Sequence, residues 1–199
     1  MERSGLSRII PVILILIVII AAVAGLFSVA QSIFFSETPQ PASVNTSRET
    51  LTKTTVDRGV RMTVRGSIVG NEDFNSYSIT VRPDSRNMTT TVGYLNKQIS
   101  TKKLGNNIPA YEQFVYALDI AGYSESTPLT GDANDVRGIC ATGEVYTFEV
   151  LDGTKSIQEL WTSSCKSIRG SFSATRSYVV KLFQLQIPEY TQLLRKIDL

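Results

Sequence analysis

Residues 9–36 carry no charged side chain, and Ile9–Phe27 is apolar almost throughout. A helix rises about 1.5 Å per residue, so roughly 20 apolar residues cross a hydrocarbon core of about 30 Å. The run reads as a transmembrane helix over 9–35 embedded in the lipid bilayer, an uncleaved signal anchor. Its apolar core exceeds the ~7–15 residues of a secretory signal. Ser28-Val29-Ala30 nevertheless offers a small-x-small cleavage site, so processing after Ala30 stays open. Arg3 and Arg8 precede the run, and no Lys or Arg follows it until Arg48. Basic flanks stay on the cytoplasmic side. Residues 1–8 are therefore expected in the cytoplasm and the C-terminal part outside a cell membrane crossed once. No Cys lies near the run, which excludes a lipid-modified cysteine anchor.

From 36 to 53 the composition turns to Ser, Thr, Pro and Glu, and Pro39 and Pro41 favour an extended spacer. Residues 54–199 are long enough for one domain with its own core. The chain holds 20 Lys+Arg against 18 Asp+Glu and no His. Near balance argues against a nucleic-acid surface, which needs a clustered positive field. The absence of His excludes Ser-His-Asp and Cys-His hydrolases, His-ligated zinc and an imidazole switch.

Within the domain, Val60, Met62 and Val64 alternate with Arg61, Thr63 and Arg65, the period of a half-buried strand. Gly66–Asp73 reads as a loop, 76–81 as a second strand, 83–87 as a polar connection, and Met88–Tyr94 as a third strand with Tyr94 inward. The period then switches. Tyr111, Phe114, Val115 and Leu118 form one helical face, with Asn107 as N-cap, Pro109 in the first turn and Gly122 as terminator. After a polar loop, Glu144–Leu151 and Thr154–Cys165 read as a hairpin turning on Asp152-Gly153. That turn pairs Leu151 with Thr154 and sets Cys140 directly opposite Cys165, at a non-hydrogen-bonded position where Cα atoms approach to about 4.5 Å. A disulfide between them is expected in an oxidising compartment. The same register puts Tyr146, Phe148, Val150, Ile157 and Trp161 on the cysteine face, although a bulge at Gly143 would break the count. Such a bridge pins register more than it adds long-loop stabilisation.

Helical spacing returns at Tyr178, Val179, Leu182, Phe183 and Gln186, with Ser173 as a candidate N-cap and Pro188 ending the helix. Tyr190, Leu193, Leu194 and Ile197 give a last short helix. The order β-β-β-α-β-β-α-α predicts an α+β fold: an antiparallel sheet of about five strands with two or three helices on one face.

Without His, the available nucleophile motif is Ser-x-x-Lys, present as Ser100 to Lys103 and Ser163 to Lys166. A catalytic lysine has to be desolvated; the first copy falls in a polar loop and the second at a strand end, so chance explains both. Asp132, Asn134 and Asp135 resemble a fragment of a calcium loop, but the distal bidentate Glu does not follow. Glu72 and Asp73 read as a loop tip. No catalytic, cofactor or metal residues are assigned. Sequons occur at Asn45 and Asn87, used only in a eukaryotic secretory route. The aromatics read as core rather than as a ligand cage.

The strings Gly138-Ile139-Cys140-Ala141-Thr142-Gly143, Leu160-Trp161-Thr162-Ser163-Ser164-Cys165 and Gln186-Ile187-Pro188 resemble uncharacterised single-pass membrane-anchored proteins of episymbiotic bacteria of the Saccharibacteria type. That resemblance implies a bacterial cell envelope and no activity. Anchor, spacer and compact domain together point to an extracytoplasmic protein-binding or envelope scaffold module without catalysis. The alternatives are a subunit of a larger membrane complex, helped by the small pair Ala21 and Gly25, and an envelope enzyme with a Ser-Lys or carboxylate site.

Overall fold

Six strands form one antiparallel sheet in the order β4-β3-β2-β1-β5-β6. They are β1 (Arg58–Arg65), β2 (Asn75–Val81), β3 (Ser85–Val92), β4 (Lys97–Gly105), β5 (Val145–Asp152) and β6 (Lys155–Ser163). Among the described residues four α-helices accompany them: α1 (Thr46–Thr52), α2 (Ile108–Ile120), α3 (Arg176–Gln184) and α4 (Tyr190–Leu194). This computed structural model describes residues 46–197 apart from Ser167 and Arg169. The expected span 9–35, the spacer up to 45 and the sequon at Asn45 lie outside the described residues. Among those described, no helix is long and apolar enough to cross a membrane.

The fold is α+β, with one strand more than the sequence predicts. The missing strand is β4. Its residues, Lys97-Gln98-Ile99-Ser100-Thr101-Lys102-Lys103-Leu104-Gly105, are mostly exposed because β4 is a sheet edge, so no apolar alternation marks it. Its lysines, and the bulge opposite Thr90 and Thr91, are what protects an open edge from pairing with another chain. The other edge is capped locally: Phe172 N–H donates to Trp161 O (3.0 Å) and Trp161 N–H to Ser171 Oγ (2.8 Å).

Alternation sorts each strand onto two faces. Val60, Met62, Val64, Ile79, Val81, Met88, Phe148, Val150 and Leu160 form the inner face and are essentially fully buried. Tyr111, Phe114, Val115 and Leu118 of α2 and Val179 and Phe183 of α3 pack on them. Phe114 and Phe183 meet edge to face at 5.2 Å, and Phe148 stacks on Phe172 at 4.3 Å. Asn107 caps α2 as expected, accepting from Ala110 N–H at 2.9 Å, and Pro109 sits in its first turn. The last part of the segment read as spacer folds as α1, whose Leu51 is fully buried in the same core.

Several details depart from the sequence reading. The β2–β3 connection is tighter than expected, closed by Arg82 N–H on Ser85 O (2.7 Å), so β3 begins at Ser85 and ends before Tyr94. Thr175, not Ser173, stands at the N-cap of α3. Tyr178 faces solvent, 52% exposed, because α3 buries only the narrow stripe of Val179 and Phe183.

The hairpin register also differs. Asp152 pairs with Lys155, so Gly153-Thr154 is the turn, and a bulge between Val150 and Leu151 shifts the ladder again to Val145 opposite Ser163. The cysteines therefore lie beyond the ladder. Cys140 and Cys165 still form a disulfide, with Cα atoms 5.6 Å apart, joining the loop before β5 to the segment after β6. Cys140 adopts φ 52, and Gly143 packs so close that a Cβ there would approach Cys140 Sγ to 2.9 Å. The shift also turns Trp161 onto the outer face opposite Thr147, while Ile157 is left 40% exposed.

Candidate functional site

The residues that chemistry singled out do not assemble. Residues 100 and 103 are an odd number apart on one strand, so Ser100 and Lys103 point to opposite faces of β4. Ser100 Oγ is instead 2.8 Å from Thr90 Oγ1. Ser163 Oγ donates to the carbonyls of Cys165 and Ile168, both at 3.4 Å, while Lys166 is exposed. Asp135 is held by Arg137 (Nη2 to Oδ2, 2.5 Å), which keeps its carboxyl down at about 2. Asn134 Nδ2 turns away to Glu159 Oε1 at 3.4 Å. Glu72 and Asp73 are exposed in the β1–β2 loop. Among the described residues no three Cys, Asp or Glu gather as a metal group. Asn87 sits mid-strand in β3 between Thr80 and Lys103, half-buried on the outer face.

Two other features are built more firmly. The first is a slot on the inner face. Val64 pairs with Tyr77 on β2 and with Tyr146 on β5, so two tyrosines flank one valine across three strands. Strands lie about 4.8 Å apart, which separates the two tyrosine positions by roughly 10 Å. α3 and α4 wall the slot with Val180, Gln184, Tyr190, Thr191 and Leu194, leaving a cavity of about 470 Å³. Tyr190 meets the Tyr77 ring edge-on at 5.7 Å. Gln184 Nε2 donates to Tyr190 Oη (3.1 Å), which donates to Tyr77 Oη (3.1 Å). Tyr146 Oη donates to Glu144, and the Arg176 guanidinium lies 4.9 Å over the Tyr146 ring. Burial pushes the Tyr77 and Tyr146 hydroxyls well above the usual phenol range, with the bonds to Tyr190 and Glu144 adding to it. Both stay protonated donors across the physiological range.

The second is a braced tip at the end of the sheet formed by the β1–β2 loop and the β3–β4 turn. Gly93 N–H donates to Phe74 O (2.7 Å), Tyr94 N–H to Asn71 Oδ1 (3.1 Å) and Tyr94 Oη to Val69 O (2.8 Å). Phe74 and Tyr94 stack with ring centroids 4.1 Å apart. Gly93 is required here: φ is +76, and a Cβ would lie 2.9 Å from Asn71 Oδ1. Ile68 N–H donates to Ala141 O (2.8 Å), tying the tip to the loop that carries Cys140. On this frame Leu95 is 93% exposed, and Ile68, Val69, Tyr94 and Ile99 are all more than a third exposed. Tyr94 is thus a tip residue and not the inward strand residue expected; Gly93 and Asn96, both with positive φ, carry the turn signal.

Comparison with known proteins finds no family model that matches the chain and no curated protein that matches it in sequence.

Proposed function

We propose that this chain is a single-pass cell-envelope protein whose external domain binds another protein. The binding half rests on the braced tip. Four hydrogen-bonded or stacked contacts hold two loops in one shape, and the outward side chains are large and apolar. Pre-ordered apolar anchors bind without the entropy loss of ordering a loop, and exposed patches of this kind mark interaction sites. The display half rests on the uncharged run 9–36 with its basic N-terminal flank. The disulfide supports it, since such bonds persist in oxidising compartments. The resemblance given above adds the bacterial envelope as the setting.

A photo-crosslinking side chain at position 95, in the full chain on intact cells, tests the reading. A discrete protein adduct at 95, absent when the same group is placed at exposed Ile120, is the expected result. Equal labelling at both positions, or none at 95, overturns it.

A further inference from the structure

The carboxylate pair beneath the loop that follows α2 plays no part in that reading. Glu149 and Glu159 stand directly opposite one another on β5 and β6. Arg61 spends two bonds of 2.6 Å on Glu149, which is buried. Glu159 is bonded instead by Asn134, in the short turn Gly131–Asn134 of that loop. The bond runs from Nδ2 to Oε1 at 3.4 Å, long and therefore weak. The other end of the same amide is unsatisfied: Asn134 Oδ1 is buried, and no donor among the described residues reaches it. An acceptor without a donor thus sits on the side chain that already touches a carboxylate, and that carboxylate becomes a donor when protonated.

We propose that Glu159 and Asn134 are a proton-operated clasp on the loop. With Glu159 charged, one long bond joins them and Asn134 Oδ1 stays unpaired. With Glu159 protonated, its O–H donates to Asn134 Oδ1 while Asn134 Nδ2 keeps its bond to Oε1, and two bonds lock the loop onto β6. An unpaired buried acceptor is costly, so the protonated pair favours the closed loop.

The surrounding charges set the direction. Glu149 opposes a second negative charge across the ladder, and both bonds of Arg61 are committed to Glu149. On the loop itself Asp135 is held by Arg137, and Asp132 is exposed. Burial first and Glu149 second raise the Glu159 pKa above its ordinary value; the Asn134 bond and Arg61 oppose the rise without cancelling it. The chain has no His, so a displaced carboxylate is the side chain left to respond to mild acid. The loop so locked is the one that roofs the outer face through Arg65 and carries Cys140.

The test is amide hydrogen exchange over residues 131–138 of the full chain in detergent micelles, from neutral to mildly acid pH. Rates are corrected for the intrinsic pH dependence of exchange, and the Glu159 carboxyl is followed by carbon NMR. Protection should rise about fivefold on acidification, the worth of one net hydrogen bond, in step with the Glu159 titration. Glu159→Gln, whose amide offers a donor at every pH, should show the acid level of protection already at neutral pH. Asn134→Leu, similar in bulk and without the amide, should lose the rise while Glu159 still titrates. Protection indifferent to pH, as when a water meets Asn134 Oδ1 throughout, overturns the proposal. So does a rise that survives in Asn134→Leu, or neutral-level protection in Glu159→Gln. None of these measurements involves a partner at the tip, so the two readings fail separately.

Discussion

The two faces of the sheet are built from the same strands by opposite means. On the inner face, one-residue alternation delivers a mainly apolar surface, and α2 and α3 pack on it. On the outer face the same alternation delivers Ser76, Ser78, Thr63, Thr89, Thr91 and Thr101, in cross-strand rows. Hydroxyls there bond to one another, as Ser76 Oγ to Thr91 Oγ1 and Thr89 Oγ1 to Thr101 Oγ1, both at 2.6 Å. Towards β6 the outer face is partly roofed by the loop that follows α2. Arg65 Nη2 donates to Val136 O (2.7 Å) and Ile139 O (2.9 Å), and that loop is stapled by the disulfide. Beneath it, Arg61 grips Glu149 with two bonds of 2.6 Å, and Glu149 stands opposite Glu159. The inner face is held by buried area, which is non-directional; the outer face is held by geometry.

That contrast predicts a graded set of outcomes. Phe148→Ala removes an aromatic that touches Tyr123, Phe172 and Phe183. It should cost about 3–5 kcal/mol in chemical denaturation, the range for large-to-small core changes; a loss below about 1 kcal/mol would mean the inner face is not the stability centre. Glu149→Ala strands Arg61 beneath the loop and should cost about 2 kcal/mol. Arg61 is 35% exposed, so water screens part of the loss. A loss equal to that of Phe148→Ala would erase the contrast between the faces.

The double change Cys140→Ser with Cys165→Ser should cost about 1–2 kcal/mol, at the low end for disulfides, because the β5–β6 hairpin already closes the intervening loop. Peptide mapping of unreduced protein should first show the two residues linked. Glu159→Gln should raise the melting temperature at neutral pH. Burial, with the charge of Glu149 next, raises the Glu159 carboxyl pKa above its ordinary value. A raised carboxylate favours the fold below its unfolded pKa, and that contribution is lost as pH rises through the folded value. The gain from glutamine should accordingly vanish on acidification below the usual carboxylate range, and a gain unchanged with pH would assign the effect to packing. Thr89→Val, on the open part of the outer face, should stay within about 0.5 kcal/mol.

The inner face was largely legible, because burial has a period. Val60, Met62 and Val64, and then Tyr111, Phe114, Val115 and Leu118, announce a strand and a helix at the spacing at which the core uses them. β4 was illegible for the converse reason: an edge strand with both faces partly wet needs no alternation, so its Lys and Thr read as loop. Neither candidate site was legible as a site. Tyr94 follows a strand pattern up to Val92, and only the stacking on Phe74 shows that it leaves the sheet. Tyr77 and Tyr146 each read as core; the slot between them exists because both happen to pair with Val64.

The sequence alone determined the class of fold, the faces of β1, β2 and α2, and the two cysteines as partners, since each follows from local periodicity or from residue type. Tertiary structure decided how those cysteines meet. A turn on Gly153-Thr154 in place of Asp152-Gly153, and then a bulge between Val150 and Leu151, moved the hairpin ladder away from the count that placed them opposite, yet the loops beyond the ladder carried Cys140 and Cys165 to a Cα separation of 5.6 Å. Registers, edges and the assembly of side chains from separate strands depend on contacts distant in sequence, and no local pattern encodes them.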